Sequence, residues 1–454
     1  MYRLAKAEAD VSTGSTLSAE YGYTNDLLSS IKTGSTTYSF TYGAFALRSN
    51  IKIGSRTLAS YSYTSRNNFL DTLAYGNGDS VKYTYDKQGR VTKQTYEDGD
   101  TVTYQYDNNG SLASVTDSAT GITTTYYYDY ADRLLRYAEK GSSFSHIIGY
   151  EYDKINNLIT LVETINGSEH KTAYIYDSDN RVTSVKNGIA SEAYTYDAYS
   201  RVETKVTKND ETTVLTDTFT YQAPTTATTS GQIKTLKSAA SGYNVTYTYT
   251  YDDNGNISSV SNGSDATSYV YDSANQLTRE NNQAAGKTWV WTYDDAGNIL
   301  SKKEYAYTTG TLGPVQSTVN YAYDGTWGDL LTGYNGKTIT SDSIGNILSH
   351  GKQKSYTWEH GRELATLTQE VALGIVKQPK DFEGRIGDVI HFEIDALGED
   401  LTYQWQVSGS NGTYWNDSSA VGCNTPHIYG FDITEARVGN LYRCKITDSA
   451  GNVV

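Results

Sequence analysis

Histidine and cysteine are the residue types that most often hold metals or act as nucleophiles, and this sequence has few of either. It contains six histidines and two cysteines, Cys423 and Cys444. The histidines are His146, His170, His350, His360, His391 and His427. No two have the His-Glu-x-x-His spacing of a zinc helix, and no Cys-x-x-Cys occurs. The sequence therefore predicts no metal ligands.

Two short segments resemble the end of a phosphate-binding loop. They are Gly286-Lys-Thr288 and Gly336-Lys-Thr338, but Asn281 and Leu331 stand where such a loop needs its first glycine. We expect both segments to be ordinary loop residues.

Carboxylates and glycine also cluster in Asp107-Asn-Asn-Gly110 and Asp252-Asp-Asn-Gly255. A calcium loop needs alternating oxygen ligands and a distant glutamate, which neither segment has, so we interpret both as turns. No Gly-x-Ser-x-Gly nucleophile turn is present. We therefore expect no catalytic residues, no cofactor-binding residues and no metal ligands, and a protein that is not an enzyme.

Composition excludes further classes of function. Among 454 residues, 37 are basic and 52 acidic, which gives a net charge of −15. Such a chain has no basic field for phosphates, so we expect no nucleic-acid partner. It has no apolar run of about 18 residues, so we expect no membrane span. Tyrosine is unusually frequent, at 43 residues against 8 phenylalanines, which indicates that one short pattern is reused.

The reused pattern is aromatic-x-Tyr-Asp-x-x-Gly-x-aliphatic, and nine copies keep its frame. Their Tyr-Asp pairs begin at Tyr85, Tyr106, Tyr128, Tyr152, Tyr176, Tyr196, Tyr251, Tyr271 and Tyr293. A degenerate copy surrounds Phe219-Thr-Tyr221. Successive copies lie 20 to 24 residues apart, a period typical of structural repeats, except for a gap of 55 residues between Asp197 and Asp252 that contains the degenerate copy.

Each column of the repeat has a structural interpretation. An aromatic ring two residues before the tyrosine shares its strand face. Three residues after the aspartate, eight of nine copies have Gly, Asn or Asp, the types that accept positive φ most easily. Five residues after the aspartate, all nine copies have an aliphatic residue. The pattern predicts a β-hairpin in which the aspartate opens a tight turn, and such units must stack into one sheet to be stable.

Copies such as Tyr83-Thr-Tyr-Asp-Lys-Gln-Gly-Arg-Val91 and Tyr249-Thr-Tyr-Asp-Asp-Asn-Gly-Asn-Ile257 resemble the RHS/YD-repeat family of bacterial secreted and surface proteins. The segment that starts at Tyr321-Ala-Tyr-Asp-Gly and includes Tyr356-Thr-Trp-Glu-His-Gly-Arg-Glu-Leu364 is similar to the wall-associated branch. The resemblance extends over about residues 20 to 370, with eroded copies ending at Tyr23, Tyr42 and Tyr63.

This resemblance implies a long β-sheet that spirals into a hollow shell, which encloses a cargo polypeptide in toxin-carrying members. The family's self-cleavage core, an Asp-Pro-x-Gly type segment ahead of a variable toxin, is absent here, because none of the four prolines follows an aspartate. The array is also short for a closed container. We therefore expect an open, curved sheet.

A different pattern begins at about Val376. Gly387–Ile394 alternates as a strand, Thr402–Val407 supplies a core tryptophan, and Tyr442 stands two residues before Cys444. A tyrosine two residues before a late cysteine, with a tryptophan upstream, is typical of an immunoglobulin-like sandwich. The segment resembles a bacterial Ig-like domain.

This Ig-like pattern lacks one standard feature. The strand that should hold the partner cysteine reads His391-Phe-Glu-Ile394, so the usual inter-sheet disulfide cannot form. A bond between Cys423 and Cys444 remains open. Free thiols there would behave as small buried hydrophobic groups.

The predicted fold is thus all-β: a spiralling antiparallel β-hairpin repeat sheet, shell-like and open, followed by an Ig-like β-sandwich. The array covers 1–372, with eroded copies at 20–75, clear copies at 83–300 and the wall-associated-type end segment at 320–370. The Ig-like domain covers 376–454 and is truncated at its C-terminus. We expect a piece of a longer secreted or cell-surface protein whose signal peptide is not in this chain.

The leading functional hypothesis is a non-enzymatic scaffold that forms part of a β-shell. One alternative is the encapsulating shell of a polymorphic toxin whose toxin domain lies outside this chain, with the cargo polypeptide as partner. Another is an adhesin for cell-wall or surface carbohydrate or for a host surface. For adhesion, Trp289, Trp327 and Trp415 are the best candidates for exposed contacts, whereas we expect the repeated tyrosines to pack against the sheet.

Overall fold

The computed structural model describes residues 3–10, 16–223, 231–351, 354–369, 372–398, 400–409, 412–448 and 451–454. Regular structure in these ranges consists of β-strands and two short 3₁₀ turns, Ala44–Ala46 and Glu435–Arg437. The all-β prediction is confirmed. No helix in the described ranges is long and apolar enough to cross a bilayer.

The strands are numbered in chain order. The first fifteen are β1 (Lys6–Asp10), β2 (Thr16–Thr24), β3 (Leu27–Thr33), β4 (Thr36–Tyr42), β5 (Arg48–Ile53), β6 (Arg56–Tyr63), β7 (Leu70–Tyr75), β8 (Ser80–Tyr85), β9 (Val91–Tyr96), β10 (Thr101–Tyr106), β11 (Leu112–Asp117), β12 (Thr123–Tyr128), β13 (Leu134–Lys140), β14 (Ser145–Tyr152) and β15 (Leu158–Ile165). The next fourteen are β16 (Ser168–Tyr176), β17 (Val182–Asn187), β18 (Ala190–Tyr196), β19 (Val202–Asn209), β20 (Thr212–Tyr221), β21 (Ile233–Ala240), β22 (Tyr243–Tyr251), β23 (Ile257–Ser261), β24 (Ala266–Tyr271), β25 (Leu277–Asn282), β26 (Lys287–Tyr293), β27 (Ile299–Ala306), β28 (Ser317–Tyr323) and β29 (Leu331–Tyr334). The last eleven are β30 (Lys337–Ser341), β31 (Ile347–His350), β32 (Lys354–Glu359), β33 (Glu363–Gln369), β34 (Gly374–Lys377), β35 (Val389–Glu393), β36 (Asp395–Leu397), β37 (Thr402–Ser408), β38 (Asn416–Asp417), β39 (His427–Asp432) and β40 (Leu441–Thr447).

The chain divides into two compact units. Unit 1 comprises Met1–Gly336 with the short segments Asp342–Asn346 and Glu359–Glu363. Unit 2 comprises Lys337–Ser341, Ile347–Trp358 and Leu364–Val454.

Unit 1 is a meander in which each strand from β1 to β29 pairs antiparallel with the next. A register shift precedes the tyrosine of each Tyr-Asp copy, as between Gln105 and Tyr106. The extra residue lets the tyrosine face the aliphatic residue that follows the turn, for example Tyr251 opposite Ile257. The tyrosine before the turn and the aliphatic residue after it therefore lie on the same face of the sheet, as the repeat columns predict.

The eroded copies keep this register although they have lost the Tyr-Asp sequence. The shift recurs before Tyr23, Tyr42, Tyr63 and Tyr221. The bulge before the tyrosine therefore forms without the aspartate.

The early strands of unit 1 contact its late turns, which shows that the sheet bends back on itself. Ile53, Leu58 and Trp327 form a buried cluster against which Tyr38 and Leu330 pack. Among the described strands of unit 1, no ladder joins the early strands to the late ones, so the sheet is not closed by strand pairing. The antiparallel, open array is as predicted.

Unit 2 has its own core around Trp405, which is fully buried with Ile390, Ile394, Ile428 and Ile446. Strand β37 pairs with β38 and β40, β35 pairs with β39, and β34 pairs with β36. Tyr442 packs against Phe392 with ring centroids 5.1 Å apart. The Ig-like assignment of 376–454 stays a prediction.

Cys423 and Cys444 are both free thiols at the edge of this core. Cys444 lies opposite Trp405 in the β37–β40 ladder. Both cysteines thus contribute apolar packing to unit 2.

Candidate functional site

The backbone and the side chain of the repeated aspartate are both hydrogen-bonded within its own turn, as the copy at Asp177 illustrates. Its N–H donates to the carbonyl oxygen of Arg181 at 3.0 Å, and its own carbonyl accepts from Asn180 N–H at 3.1 Å. Its Oδ1 accepts from the N–H groups of Asp179 and Arg181 at 2.9 and 3.0 Å. Its Oδ2 accepts from Arg181 Nε at 2.8 Å. Both carboxylate oxygens are occupied, so the side chain serves chain reversal.

The same double acceptance by Oδ1 recurs along the array. It is made by Asp86, Asp107, Asp129, Asp153, Asp197, Asp252, Asp272, Asp294 and Asp342. This set includes the two calcium-like segments, Asp107–Gly110 and Asp252–Gly255, so their interpretation as turns is confirmed. The aspartates lie one per turn and do not converge.

The residue three positions after each aspartate has positive φ in all nine copies, as predicted. The angles range from 58° at Asp132 to 96° at Gly110, and even Ser200 adopts 62°. Serine has no special tolerance for this conformation, so the turn imposes it.

The sequence interpretation missed one column, the residue four positions after the aspartate. An arginine or asparagine side chain there closes the turn onto Oδ2, and the residues are Arg90, Arg133, Asn157, Arg181, Arg201, Asn256 and Asn298. The backbone N–H and then the side chain of Arg181 lower the pKa of Asp177, against the opposing effect of desolvation. In Asp197, the Arg201 side chain has the largest effect in lowering the pKa.

In eight of the nine Tyr-Asp copies the tyrosine hydroxyl donates to a carbonyl of the preceding copy. Tyr106 OH donates to the carbonyl oxygen of Val91 at 2.8 Å, and Tyr293 OH to that of Leu277 at 2.7 Å. The eroded copies at Tyr42, Tyr63 and Tyr221 make the same bond to Leu28, Arg48 and Val202. The rings are half-buried. These tyrosines therefore hold neighbouring hairpins together.

Of the three tryptophans proposed as exposed contacts, Trp327 is misassigned. It is buried against Ile53 and Leu58, and its Nε1 donates to Tyr38 OH at 3.1 Å. The repeat pattern gave no sign of this contact, because its partners lie almost 300 residues away in sequence.

The other two tryptophans are half-buried beneath cations. Lys302 Nζ lies 5.0 Å from the Trp289 ring, and Arg443 Cζ lies 4.4 Å from the Trp415 ring. Trp289 Nε1 donates to Glu304 at 3.1 Å. One face of each ring is therefore covered by a side chain of its own unit.

The two phosphate-loop-like segments have structural roles. Gly286 and Gly336 lie in turns with φ of 64° and 76°, but the lysine and threonine that follow begin β26 and β30. The expectation of loop residues is wrong for those positions. Thr288 is fully buried and donates to Asn281 Oδ1 at 3.2 Å, so it cannot face a phosphate.

An open groove of about 510 Å³ lies on unit 2, lined by Phe382, Phe392 and Tyr442, with Cys444 at its wall. Burial raises the pKa of the Cys444 thiol to about 11. A thiol that stays protonated at neutral pH is a poor nucleophile.

The RHS repeat family model matches residues 72–101, 85–122 and 271–312. In these three stretches the chain is similar to the RHS repeat. The matched stretches include the copies at Tyr85, Tyr106, Tyr271 and Tyr293, whose turns are described above. No curated protein matches the chain.

Two solved structures of toxin complexes are among those similar to this chain. The crystal structure of TcdB2-TccC3-Cdc42 is 11% identical, with a TM-score of 0.34, and the match covers 97% of this chain and 27% of that one. The Photorhabdus luminescens Tc holotoxin pore is 12% identical, with a TM-score of 0.35 and coverage of 97% and 27%. This chain spans about a quarter of the length of those chains.

Proposed function

We propose that this chain is a non-enzymatic RHS-repeat scaffold, a structural part of a larger bacterial protein that is secreted or displayed at the cell surface. The observation that carries the proposal is that, in seven of the nine copies, both carboxylate oxygens of the repeated aspartate accept hydrogen bonds within its own turn, as at Asp177. A carboxylate with both oxygens bound within its own turn is poorly placed to exchange protons with a substrate. The most strictly repeated residues thus have a structural role in the turns.

Two further features support an extracellular scaffold. The net charge of −15 favours a well-solvated surface. Tyrosine-to-carbonyl bonds recur from β4 to β28, so most copies of the array are bonded to the preceding one. Such an arrangement suits a long, self-supporting sheet.

The test is to locate the protein in the bacterium that produces it. Intact cells are treated briefly with protease, and the released peptides and the culture medium are analysed by mass spectrometry. We expect peptides from the array in the released or secreted fraction, with a cytosolic marker protein absent from both. Peptides found only after cell lysis would contradict the proposal.

A second candidate function is the shell of a toxin, with a cargo polypeptide as partner. It is favoured by the RHS repeats and by the contact of early strands with late turns in unit 1, which curves the sheet. The native full-length protein would be purified and digested with protease. A cargo fragment that resists digestion until the array is unfolded would support this candidate, and its absence would favour the scaffold alone.

Adhesion to carbohydrate has less support, because Trp327 is buried and Trp289 and Trp415 are covered by cations on one side. A glycan array with wild-type protein and a Trp415→Ala variant tests it. Tight binding that depends on Trp415 would restore the adhesin hypothesis.

A further inference from the structure

Two turns that are about 260 residues apart in sequence meet in unit 1. One is the turn Glu97–Asp100 between β9 and β10, and the other contains His360 and joins β32 to β33. His360 Nε2 lies 3.2 Å from Asp98 Oδ2 and 4.0 Å from Asp100 Oδ2. One imidazole and two carboxylates thus converge on a single point.

The orientation of the His360 ring is fixed on two sides. The ring stacks on Tyr96, with centroids 3.7 Å apart and planes at 19°. On the other side, Nδ1 is 2.9 Å from Glu363 Oε2, a distance at which Nδ1–H donates to the carboxylate. That tautomer leaves the lone pair of Nε2 directed at the Asp98 and Asp100 carboxylates.

Nε2 has no hydrogen-bond partner, although the His360 side chain is only 7% exposed. A buried polar atom without a partner is costly, and here it faces two carboxylates. A neutral imidazole would place its lone pair against negative charge. The arrangement therefore calls for a positive species between the three groups.

The carboxylates present one free oxygen each. Asp98 Oδ1 accepts from Asp100 N–H at 2.9 Å, and Asp100 Oδ1 accepts from Ser118 Oγ at 3.1 Å. Both Oδ2 atoms remain for a ligand near His360. Their orientation is thus set by hydrogen bonds at the opposite oxygen, as is common around metal sites.

The turn that contains His360 is held in place by contacts within the protein itself. Gly361 N–H donates to Asp79 Oδ2 at 3.0 Å, and its carbonyl accepts from Asn346 Nδ2 at 2.7 Å. A Cβ at Gly361 would lie 2.3 Å from the Tyr75 ring, so the turn is tightly docked. The ligand atoms are therefore held in place by the fold.

We propose that Nε2 of His360 and Oδ2 of Asp98 and Asp100 bind one divalent metal ion of the zinc class, with water completing the coordination. Bonds of about 2.0–2.1 Å at tetrahedral angles put ligand atoms about 3.3 Å apart, close to the separation of the His360 and Asp98 atoms. Imidazole with carboxylates suits zinc, whereas calcium binds through oxygen alone. Glu363 is a positioning residue. The ion would tie the β9–β10 turn to the β32–β33 turn within unit 1.

The rival occupant is a proton. Burial opposes it, but Glu363, Asp98 and Glu359 together raise the pKa of His360 above its ordinary value. An imidazolium held by these carboxylates would need no metal. The two alternatives differ in whether the purified chain binds a metal stoichiometrically.

The experiment uses the full chain, stripped of metal with chelator and dialysed at pH 7.5. Zn²⁺ is titrated by calorimetry, and Co²⁺ is followed by its visible absorption. We expect one equivalent of each to bind. His360→Gln should weaken binding at least about 100-fold and Glu363→Gln about tenfold, with a shifted Co²⁺ spectrum in the latter.

Matched controls keep the result specific. His170→Gln and Asp253→Asn alter exposed residues and should bind as wild type. A double Cys423→Ser, Cys444→Ser variant should also bind as wild type, which excludes the thiols. If His360→Gln fails to fold, Asp98→Asn is the safer variant, because the Asp98 side chain is 47% exposed.

The proposal fails if Zn²⁺ and Co²⁺ show no saturable binding, or if binding survives in His360→Gln or Asp98→Asn. It also fails if the double serine variant loses the metal. Without saturable binding, an unliganded chain with a protonated His360 would be the correct description, whereas the other outcomes would place the metal at other residues.

Discussion

At the scale of single residues, the hydroxyl of the repeated tyrosine links neighbouring hairpins through a hydrogen bond. In Tyr293→Phe the carbonyl of Leu277 would lose its donor, and a lost neutral hydrogen bond costs about 1 kcal/mol. We expect amide hydrogen exchange in β25 and β26 to become about fivefold faster, since local opening follows local stability. Tyr130→Phe is the control, because that side chain is fully exposed. Equal exchange in both variants would contradict the linking role.

Ser200 is the one copy in which the positive-φ position lacks a favourable residue. Asn156 and Asn180 adopt φ of 73° and 62°, and Asn156 Oδ1 accepts from Arg133 Nη1 at 2.8 Å. Ser200 Oγ receives the corresponding bond from Arg181 at 3.0 Å. Ser200→Asn keeps that acceptor and eases the backbone, so we expect a gain of about 0.5–1 kcal/mol.

The gain from Ser200→Asn is measured as slower amide exchange in the turn between β18 and β19. Asn180→Ser, made in the preceding copy, should give the opposite change at its own turn. A Ser200→Asn variant that exchanges faster than wild type would show that the serine is required there for another reason.

At the scale of the element, the hairpin could be read largely from the sequence. Nine aligned copies exposed the aspartate, the positive-φ position and the aliphatic return, since each is limited to few residue types. The Arg or Asn that binds Oδ2 was visible in the same alignment but has no meaning until the turn geometry is known. The tyrosine bond to the preceding copy needed the bulge before Tyr106, which no residue type marks.

The hairpin should weaken in acid because its aspartate is stabilised as the anion. The pKa of Asp177 is lowered below 3.8, so its contribution is complete above that value and is lost as pH falls through the lower, folded-state pKa. We expect the β16–β17 turn to exchange faster below about pH 4, after correction for intrinsic rates.

Asp177→Asn should remove that pH dependence at its own turn while neighbouring turns keep theirs. Asp253→Asn, at an exposed position, should leave every turn as in wild type. If the Asp177→Asn turn still loosened in acid, the dependence would come from another group.

At the scale of the whole molecule, the sequence predicted an array but could not predict where it contacts itself. The contacts of Trp327 with Ile53 and Leu58, and of His360 with Asp98, join positions whose separation matches no repeat period. Repeats specify nearest-neighbour packing, whereas curvature accumulates over many hairpins and depends on small twists at each. This is why Trp327 was assigned to an exposed site and why His360 was treated as isolated.

Trp327 packs against residues that are distant in sequence, so its removal tests whether this contact holds unit 1 in its curved form. Its ring is 9% exposed, packs on Ile53 and Leu58, and bonds to Tyr38 OH. Trp327→Ala would leave a cavity that costs about 3–5 kcal/mol. If that contact fixes the curvature of unit 1, hydrogen exchange should accelerate both around residues 324–330 and in β4 to β6.

Trp415→Ala in unit 2 is the matched control, since that ring is half-buried and lies on other strands. It should leave exchange in β4 to β6 unchanged. Acceleration confined to residues 324–330 in Trp327→Ala would mean that the early strands hold their curvature without this tryptophan, and that hairpin twist alone bends the sheet. Acceleration on both sides would mean that an array built from local repeats still depends on a few contacts between distant copies.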